Sequence, residues 1–235
     1  MNEFNGFTIP DKYKELLTKV REEQIKNSEQ ISLENKLEFG EIVTIAGLDV
    51  SFSEKDDFAC AGIVVIDFRT FEILEEQVEF FSPPIPYITS FLHYRESPGY
   101  HKVISKLSEK PDVMIYDGNG LIHPYGFGLA CQMGLETNLP SFGAAKKLLF
   151  GNYEPPLDRG GFSEINYDNK IVGAAFQTLE LPAKSVFISP GHLVNLNLCV
   201  NIMREFVLHQ NYPSKLPLPL NLVDKLVREK LLGEI

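Results

Sequence analysis

The sequence predicts an α/β fold with a mixed central sheet, antiparallel in its first part and parallel in its second. Three short apolar segments separated by polar turns come first, and strand-like and helix-like segments then alternate. The chain of 235 residues is 44% hydrophobic, enough for one substantial core and too short for two full-sized domains. We therefore predict one domain over residues 1–235, on which residues 1–40 pack as an N-terminal helical segment.

An amphipathic helix is predicted from Asp11 to about Lys36, in a stretch rich in Lys, Glu and Gln. Apolar residues recur there at roughly helical spacing, so one stripe would pack on the domain while the rest is solvated. The stripe consists of Leu16, Leu17, Val20 and Ile25.

Three predicted strands follow, each rich in β-branched or aromatic residues. The connections between them are short, which favours an antiparallel meander. The strands are Ile42–Phe52, Ala59–Phe68 and Ile73–Phe81.

The second half of the chain alternates between strands and helices, which predicts parallel strands joined by helical crossovers. The first elements there are a strand at Asp112–Tyr116, a helix from about Pro124 to Leu135, a strand near Pro140–Gly143 and a helix opening at Ala145–Phe150. A hairpin follows, formed by Glu164–Tyr167 and Lys170–Thr178 around the turn Asp168-Asn169. A strand at Ser185–Ile188 and helices at Leu193–His209 and Leu220–Leu232 complete the fold, and a proline-rich break separates these helices.

Composition argues against several classes of protein. The three cysteines are widely spaced and form no CxxC pair, so we expect buried thiols in a reducing cytoplasm rather than a zinc site or disulfides. The N-terminus lacks the pattern of a signal peptide, and no apolar run approaches the roughly 20 residues that cross a bilayer. The sequence therefore predicts a cytoplasmic protein without membrane association.

The net charge of −10 argues mildly against a nucleic-acid partner, because phosphate-binding proteins usually carry a basic surface. Two arrangements weaken that objection. A carboxylate cluster can be neutralised by divalent cations, and a local basic groove can coexist with an acidic remainder.

Two aspartates stand out because of where the predicted strands put them. Asp49 lies inside the apolar segment TIAGLDVSF, where burying an unpaired charge is costly. Asp117 follows the DVMIY strand, at the carboxyl end where α/β sheets collect ligands, although the ordinary role of such a residue is a helix N-cap. If the two strands are parallel neighbours, the carboxylates converge, and oxygen-only ligands favour Mg²⁺ or Mn²⁺ over zinc.

Six segments resemble, in order and spacing, the motifs of the endonuclease V family. They are GLDVSF, PYITSFLHYRES, DGNGLIHPYGFGLA, FGAAKK, ISPGH and LPLPLNLVD, and they extend from about Ala46 to Asp224. The resemblance implies a ribonuclease-H-like fold and a Mg²⁺-dependent DNA-repair nuclease, with Mn²⁺ as a possible substitute. It further implies a cut at the second phosphodiester bond 3′ to inosine, leaving 3′-hydroxyl and 5′-phosphate ends.

Carried over residue by residue, the resemblance implies that Asp49, Glu96 and Asp117 bind the metal and take part in catalysis. Asp224 matches a position close to the metal on the C-terminal helix, although a solvated aspartate on a helix face is the alternative. Glu96 follows Arg95 and could instead form a surface ion pair.

The resemblance also implies a substrate site. Tyr87 matches an aromatic wedge that fills the gap left by a displaced nucleotide. Gly118 and Gly120 match the wall of the base pocket, although a sterically required turn would explain both glycines as well. Leu92 and Leu149 match apolar positions of that pocket, where core packing is the alternative.

Three further residues complete the implied site. Lys146 resembles a lysine that faces the scissile phosphate, and a surface lysine is the alternative. His123 is expected near the metal acids, where it contacts phosphate or orders water. His192 is predicted to head the Leu193–His209 helix, where either phosphate contact or a structural cap is possible.

Four positions depart from the family pattern. Ser90 replaces a glycine after the wedge, Tyr94 replaces a phenylalanine, Asn119 stands where histidine is frequent between the glycines, and Tyr125 replaces an arginine after His-Pro. These departures bear on affinity and substrate preference, but not on the fold.

The predicted partner is inosine-containing DNA, with inosine-containing RNA as the alternative, bound by a monomer. The rival hypotheses are a nuclease with another target, a catalytically inactive nucleic-acid-binding homologue, and a small-molecule phosphatase or unrelated hydrolase. Retention of all four acids argues against the inactive homologue.

Overall fold

A computed structural model describes residues 9–55, 57–208 and 214–234 of the chain. Within these residues, eight strands form one mixed sheet in the order β3-β2-β1-β4-β5-β8-β7-β6. The strands are β1 (Thr44–Phe52), β2 (Ala59–Asp67), β3 (Ile73–Phe81), β4 (Val113–Asp117), β5 (Ser141–Ala145), β6 (Phe162–Tyr167), β7 (Lys170–Phe176) and β8 (Val186–His192).

Strands β1, β2 and β3 form the predicted antiparallel meander, and their bounds lie within two residues of the prediction. Strand β1 then pairs in parallel with β4, and β4 pairs in parallel with β5. This order, an antiparallel meander extended by two parallel strands, is the mixed α/β arrangement implied by the ribonuclease-H-like resemblance. The predicted hairpin is also present, and its turn residues Asp168 and Asn169 both have positive φ.

Helices cover both faces of the sheet. They are α1 (Lys14–Ser28), α2 (Leu92–Ser105), α3 (Leu129–Thr137), α4 (Leu196–Leu208) and α5 (Leu218–Glu234). Residues of α4 and α5 share one buried cluster with the side chains of one sheet face, whereas α2 and α3 pack on the other face. Helix α1 packs through Leu17 and Val20 against the loop that precedes α2.

Helix α1 is shorter than predicted, and its buried stripe differs from the predicted one. It ends at Ser28. Between Ser28 and β1, the chain forms only one short 3-10 helix, at Phe39–Glu41. Leu16 and Ile25 are exposed, and the buried residues are Leu17, Val20, Arg21 and Gln24. Two polar side chains thus occupy half of the face that hydrophobicity alone would fill.

One predicted helix is absent, and one observed helix was not predicted. The segment Ala145–Phe150 forms no helix, because Ala145 ends strand β5 and the following residues lead irregularly out of the sheet. Helix α2 was not expected, since Pro98 lies in its interior, where proline normally breaks a helix. Helix α3 begins at Leu129, five residues after the predicted start, and α4 begins at Leu196, while the predicted end of α4 at His209 lies outside the described residues.

No described helix is both long enough and apolar enough to cross a membrane. The prediction of one domain over residues 1–235 stays a prediction.

Candidate functional site

Three carboxylates meet where the middle of β1 lies beside the carboxyl end of β4. Leu48 of β1 lies beside Tyr116 of β4 in the parallel register, so the next residues, Asp49 and Asp117, are neighbours. Asp224 reaches them from α5, and one carboxylate oxygen from each of the three lies within 4.8 Å of the others. The predicted convergence of Asp49 and Asp117 is therefore what the structure shows.

Helix α5 comes close to the sheet because glycines in the strands leave room for it. A Cβ at Gly47 would clash with the backbone of Pro219, and one at Gly62 would clash with the side chain of Val227. Asp224 lies between these two contacts along α5. The glycine in the GLDVSF segment thus places the third acid beside the other two.

The cluster is electrostatically unfavourable without a cation. Burial and the nearby charge of Asp117 raise the pKa of Asp49 well above its usual range, and the hydrogen bond from Val50 N–H to Asp49 Oδ1 (2.8 Å) opposes this only in part. Burial also raises the pKa of Asp117. Among the described residues, no lysine or arginine forms an ion pair with Asp49.

Arg228 of α5 forms an ion pair with Asp224 (3.0 Å), and Lys146 supplies a second positive charge. Its Nζ lies 3.5 Å from Asp117 Oδ2 and 3.5 Å from Asp224 Oδ1, and its side chain is 45% exposed. Burial alone would lower the pKa of Lys146, but the carboxylates of Asp117, Asp224 and Asp49 raise it. Lys146 reaches this position as the first residue after β5, rather than from the helix predicted there.

Glu96 approaches from the opposite face of the sheet, on α2, and is not one of the three clustered acids. Its side chain is buried and accepts a hydrogen bond from Tyr100 Oη (3.0 Å). Burial, followed by the charge of Asp49, raises the pKa of Glu96 well above its usual range. The surface ion pair considered for Glu96 is excluded by this burial.

The donor set fits a hard divalent cation. Three carboxylates converge, one of them lacks any ion-pair partner among the described residues, and every available ligand atom is an oxygen. Such a set suits Mg²⁺ or Mn²⁺.

A pocket with an empty volume of about 380 Å³, its open mouth included, adjoins this region. It is lined by Tyr87, Ser90, Leu92, His93, Asn119, His123, Gly128, Leu129 and Leu149. Tyr87 is 64% exposed, so most of its ring faces solvent and is available for stacking. Of the predicted substrate residues, Tyr87, Leu92 and Leu149 therefore share one pocket.

The two predicted glycines flank this pocket without lining it. A Cβ at Gly120 would clash with the carbonyl of Pro190 in β8, so close packing between the turn and β8 requires glycine there. At Gly118 a Cβ would press tightly on Leu129, which is itself a lining residue. The residue between them, Asn119, is the one that reaches the pocket.

Both ring nitrogens of His123 are engaged within the protein. Nε2 lies 3.1 Å from the carbonyl oxygen of Ser90, and Nδ1 accepts from the backbone N–H of Tyr125 at 3.3 Å. The ring is buried, and burial lowers its pKa to about 3. This geometry favours support of the loop at Ser90, whereas the predicted contact with phosphate would require one of these bonds to break.

His192 lies elsewhere. It is the last residue of β8 and pairs with Ser141 at the start of β5, at the end of the sheet opposite Asp117. Its Nδ1 accepts from the backbone N–H of Ser32 (3.2 Å), and α4 begins only at Leu196. The prediction that His192 heads this helix is wrong, because the strand continues through the SPGH segment.

A buried polar network behind the pocket was not predicted. Arg21 and Gln24 of α1 contact Ser90 and His93, which are 66 to 69 residues away in the sequence. The Arg21 guanidinium also lies over the rings of Phe91 and Tyr125, 4.2 and 4.1 Å from their centroids. Two of the four departures from the family pattern, Ser90 and Tyr125, thus contact the same arginine.

Comparisons with known proteins agree with this architecture. The family model described as Endonuclease V matches residues 25–225. Endonuclease V of Dictyoglomus thermophilum is 38% identical over 192 residues, which cover 81% of each chain.

Solved structures agree as well. The crystal structure of endonuclease V from Bacillus subtilis superposes with a TM-score of 0.84 at 26% identity, over 99% of this chain and 96% of that one. Ciona intestinalis endonuclease V, solved in complex with a 24mer DNA containing an inosine followed by a ribo-adenosine, shares the fold with a TM-score of 0.82 at 20% identity, over 94% of this chain and 100% of that one. The family match over most of the sequence and the shared fold lead to one conclusion: this chain belongs to the endonuclease V family.

Proposed function

We propose that this protein is a Mg²⁺-dependent endonuclease that nicks DNA at the second phosphodiester bond 3′ to inosine, leaving 3′-hydroxyl and 5′-phosphate ends, as a step in DNA repair. The observation that carries this proposal is the cluster of Asp49, Asp117 and Asp224 next to a pocket with an exposed Tyr87 at its mouth. Family membership supports nuclease chemistry, and the inosine-containing DNA bound by the Ciona relative supports the substrate class.

Asp49, Asp117 and Asp224 would hold the Mg²⁺ ion, with Mn²⁺ as a substitute, while Glu96 would act beside Asp49 from the other side of the sheet. When bound, Mg²⁺ neutralises the carboxylates and supplies a Lewis acid for phosphodiester hydrolysis. The raised pKa values of Asp49 and Glu96 support this assignment, because a bound cation would make their ionised forms favourable.

Lys146 would stabilise the negative charge that develops on the scissile phosphate. Its ammonium group is half-exposed and bridges Asp117 and Asp224 at the edge of the cluster. In this position it can contact a phosphate oxygen without leaving the carboxylates.

Tyr87 would fill the space that the inosine leaves in the base stack. Removing a base from its stack costs a few kcal/mol, and an aromatic face recovers part of that cost on any neighbouring base. The exposure of Tyr87, together with the apolar Leu92 and Leu149 that line the same pocket, supports a pocket that receives the displaced base.

The proposal is tested by cleavage of end-labelled duplexes that carry one inosine or the matching adenine. We expect a single Mg²⁺-dependent nick at the second phosphodiester bond 3′ to inosine. The nick should disappear when a chelator is added, and also in the Asp117→Asn variant. Asp158→Asn, a change at an exposed aspartate outside the cluster, is the matched control and should cleave normally. Equal cleavage of the adenine duplex would contradict the inosine specificity.

The same assay with single-stranded RNA containing inosine separates a DNA nuclease from an RNA nuclease. Faster cleavage of the RNA would replace DNA by RNA as the substrate, while the metal site and the pocket would keep their proposed roles.

A further inference from the structure

The orientation of the Gln24 side chain is determined by Arg21. The two guanidinium NH₂ groups of Arg21 donate to Gln24 Oε1 at 2.6 Å and to Ser90 Oγ at 2.5 Å. An arginine can only donate, so the oxygen of the Gln24 amide must face Arg21. The amide nitrogen of Gln24 therefore faces the other way, towards Ser90 and His93.

Gln24 in turn determines which ring nitrogen of His93 carries the proton. Gln24 Nε2 lies 3.1 Å from His93 Nδ1 and 3.2 Å from the carbonyl oxygen of Ser90. The carbonyl oxygen of Phe127 lies farther away, at 3.4 Å, so the two amide hydrogens serve the two shorter contacts best. Because the amide nitrogen can only donate, Nδ1 accepts, and a neutral imidazole then has its proton on Nε2. Burial, followed by the charges of His123 and Arg21, lowers the pKa of His93 to about 3, so the ring is neutral at pH 7.

His93 lines the pocket, and its Nε2 has no hydrogen-bond partner among the described residues. A second unused group lines the same pocket. The Oδ1 atom of Asn119 is buried without a hydrogen-bond partner within the described parts of the chain. The pocket thus contains one fixed donor and one acceptor that no other side chain uses.

We propose that His93 is a specificity-determining residue that donates from Nε2–H to the 6-oxo oxygen of the displaced base, while Asn119 Oδ1 accepts from its N1–H. This inference rests on the proposed function. Hypoxanthine presents an acceptor at position 6 and a donor at N1, whereas adenine presents an amino group at position 6 and an acceptor at N1.

Of the two groups, His93 carries the discrimination. The side chain of Asn119 makes no hydrogen bond to a described residue, so its amide can turn to suit either base. The donor at His93 cannot be reversed in the same way, because Arg21 and Gln24 fix it. Adenine would then bring its amino group against a second donor, and a buried donor left without an acceptor is costly.

The tautomer is measured directly by long-range ¹H–¹⁵N correlation on metal-free wild-type protein containing ¹⁵N-labelled histidine. The His93 signals are assigned by their loss in His93→Asn. We expect a protonated Nε2 and an unprotonated Nδ1. Protonation at Nδ1 would overturn the inference whether or not the protein cleaves inosine.

Base reading is measured as the affinity for strands that contain inosine or adenine, in an Asp117→Asn background that leaves them intact. His93→Asn retains a polar group near Gln24 but removes the donor at the Nε2 position, and should reduce the preference for inosine about tenfold or more. His93→Gln places an amide nitrogen at that position and should restore most of the preference. His101→Asn, at an exposed histidine of the same helix, is the control and should change nothing.

The outcomes separate this inference from the proposed function. If the Asp117→Asn protein prefers inosine and keeps that preference when His93→Asn is added, the role of His93 is overturned and the proposed function is not. If the Asp117→Asn protein itself binds both strands with equal affinity, the proposed function is rejected as well. Asn119→Ala should lower affinity for both strands by similar factors, and a loss confined to inosine would transfer the discrimination from His93 to Asn119.

Discussion

The acid cluster and the polar network behind the pocket are both built from buried or half-buried polar side chains, but they solve the burial problem in opposite ways. Lys146 and Arg228 pair with Asp117 and Asp224, but Asp49 has no ion-pair partner among the described residues, so the cluster still calls for a cation from outside the chain. Arg21 and Gln24 instead find neutral acceptors within the chain. The first region is therefore complete only with its ligand, whereas the second is organised before any ligand arrives.

The largest effect is expected from Asp49→Asn, which should change activity and stability in opposite directions. Loss of a carboxylate from the cluster should reduce Mg²⁺-dependent nicking by at least about a hundredfold. The same change removes a poorly compensated charge, so the metal-free protein should melt a few degrees higher. Nicking assays and thermal melts in the presence of a chelator measure the two effects. A lower melting temperature would show that Asp49 is well stabilised without a cation.

The acid cluster was accessible from the sequence because it violates a local rule. An aspartate inside TIAGLDVSF requires compensation by a salt bridge, protonation or a metal ion. Its convergence with Asp117 depended on the condition that the two strands are parallel neighbours, which β1 and β4 fulfil. Asp224 was located by the family resemblance alone. Its proximity depends on the approach of α5 to Gly47, which no local pattern reveals.

The network behind the pocket had no comparable signal. Arg21 and Gln24 lie in a helix rich in lysine and glutamate, where both would ordinarily be solvated. Their burial depends on contacts with Ser90 and His93 more than 60 residues away, and on a helix, α2, that Pro98 concealed. Only the replacement of glycine by Ser90, whose φ of 70° is unusual for serine, indicated that this loop differs from the family pattern.

Tyr87→Ala tests whether the exposed side of the pocket contributes to binding rather than to folding stability. Stacking of an aromatic side chain on a base contributes about 1–3 kcal/mol, so affinity for the inosine strand should fall by about tenfold. Because the ring is 64% exposed, the free energy of unfolding should change by less than about 0.5 kcal/mol. Fluorescence anisotropy and denaturant melts provide these values. A large loss of stability would mean that the ring packs on the fold rather than on a base.

Arg21→Met, unlike Tyr87→Ala, should reduce the folding stability. Gln24 Oε1 and Ser90 Oγ would lose their donor, which costs about 1–3 kcal/mol of folding stability. Gln24 would then be free to turn, and the preference for inosine over adenine should fall several-fold. Arg21→Lys, which retains a donor-only group, should recover part of that preference. A preference unchanged in Arg21→Met would show that Gln24 is held without the arginine.

A change of pH should alter the stability contributed by the two regions with opposite signs. In the metal-free protein Asp49 and Glu96 have raised pKa values, so their contribution to stability is fully present at acidic pH and is lost as pH rises through those values. His93 and His123 have pKa values lowered from 6.5 to about 3, so their contribution is present above pH 6.5 and is lost as pH falls towards 3.

Thermal melts between pH 4 and pH 8 should therefore show Mg²⁺ stabilising the protein most at the alkaline end. The histidine-dependent loss at the acidic end should remain with or without the ion, and it should be smaller in His93→Gln. If Mg²⁺ removed the acidic loss as well, the two regions would be coupled, and the network behind the pocket could not be regarded as organised independently of the metal site.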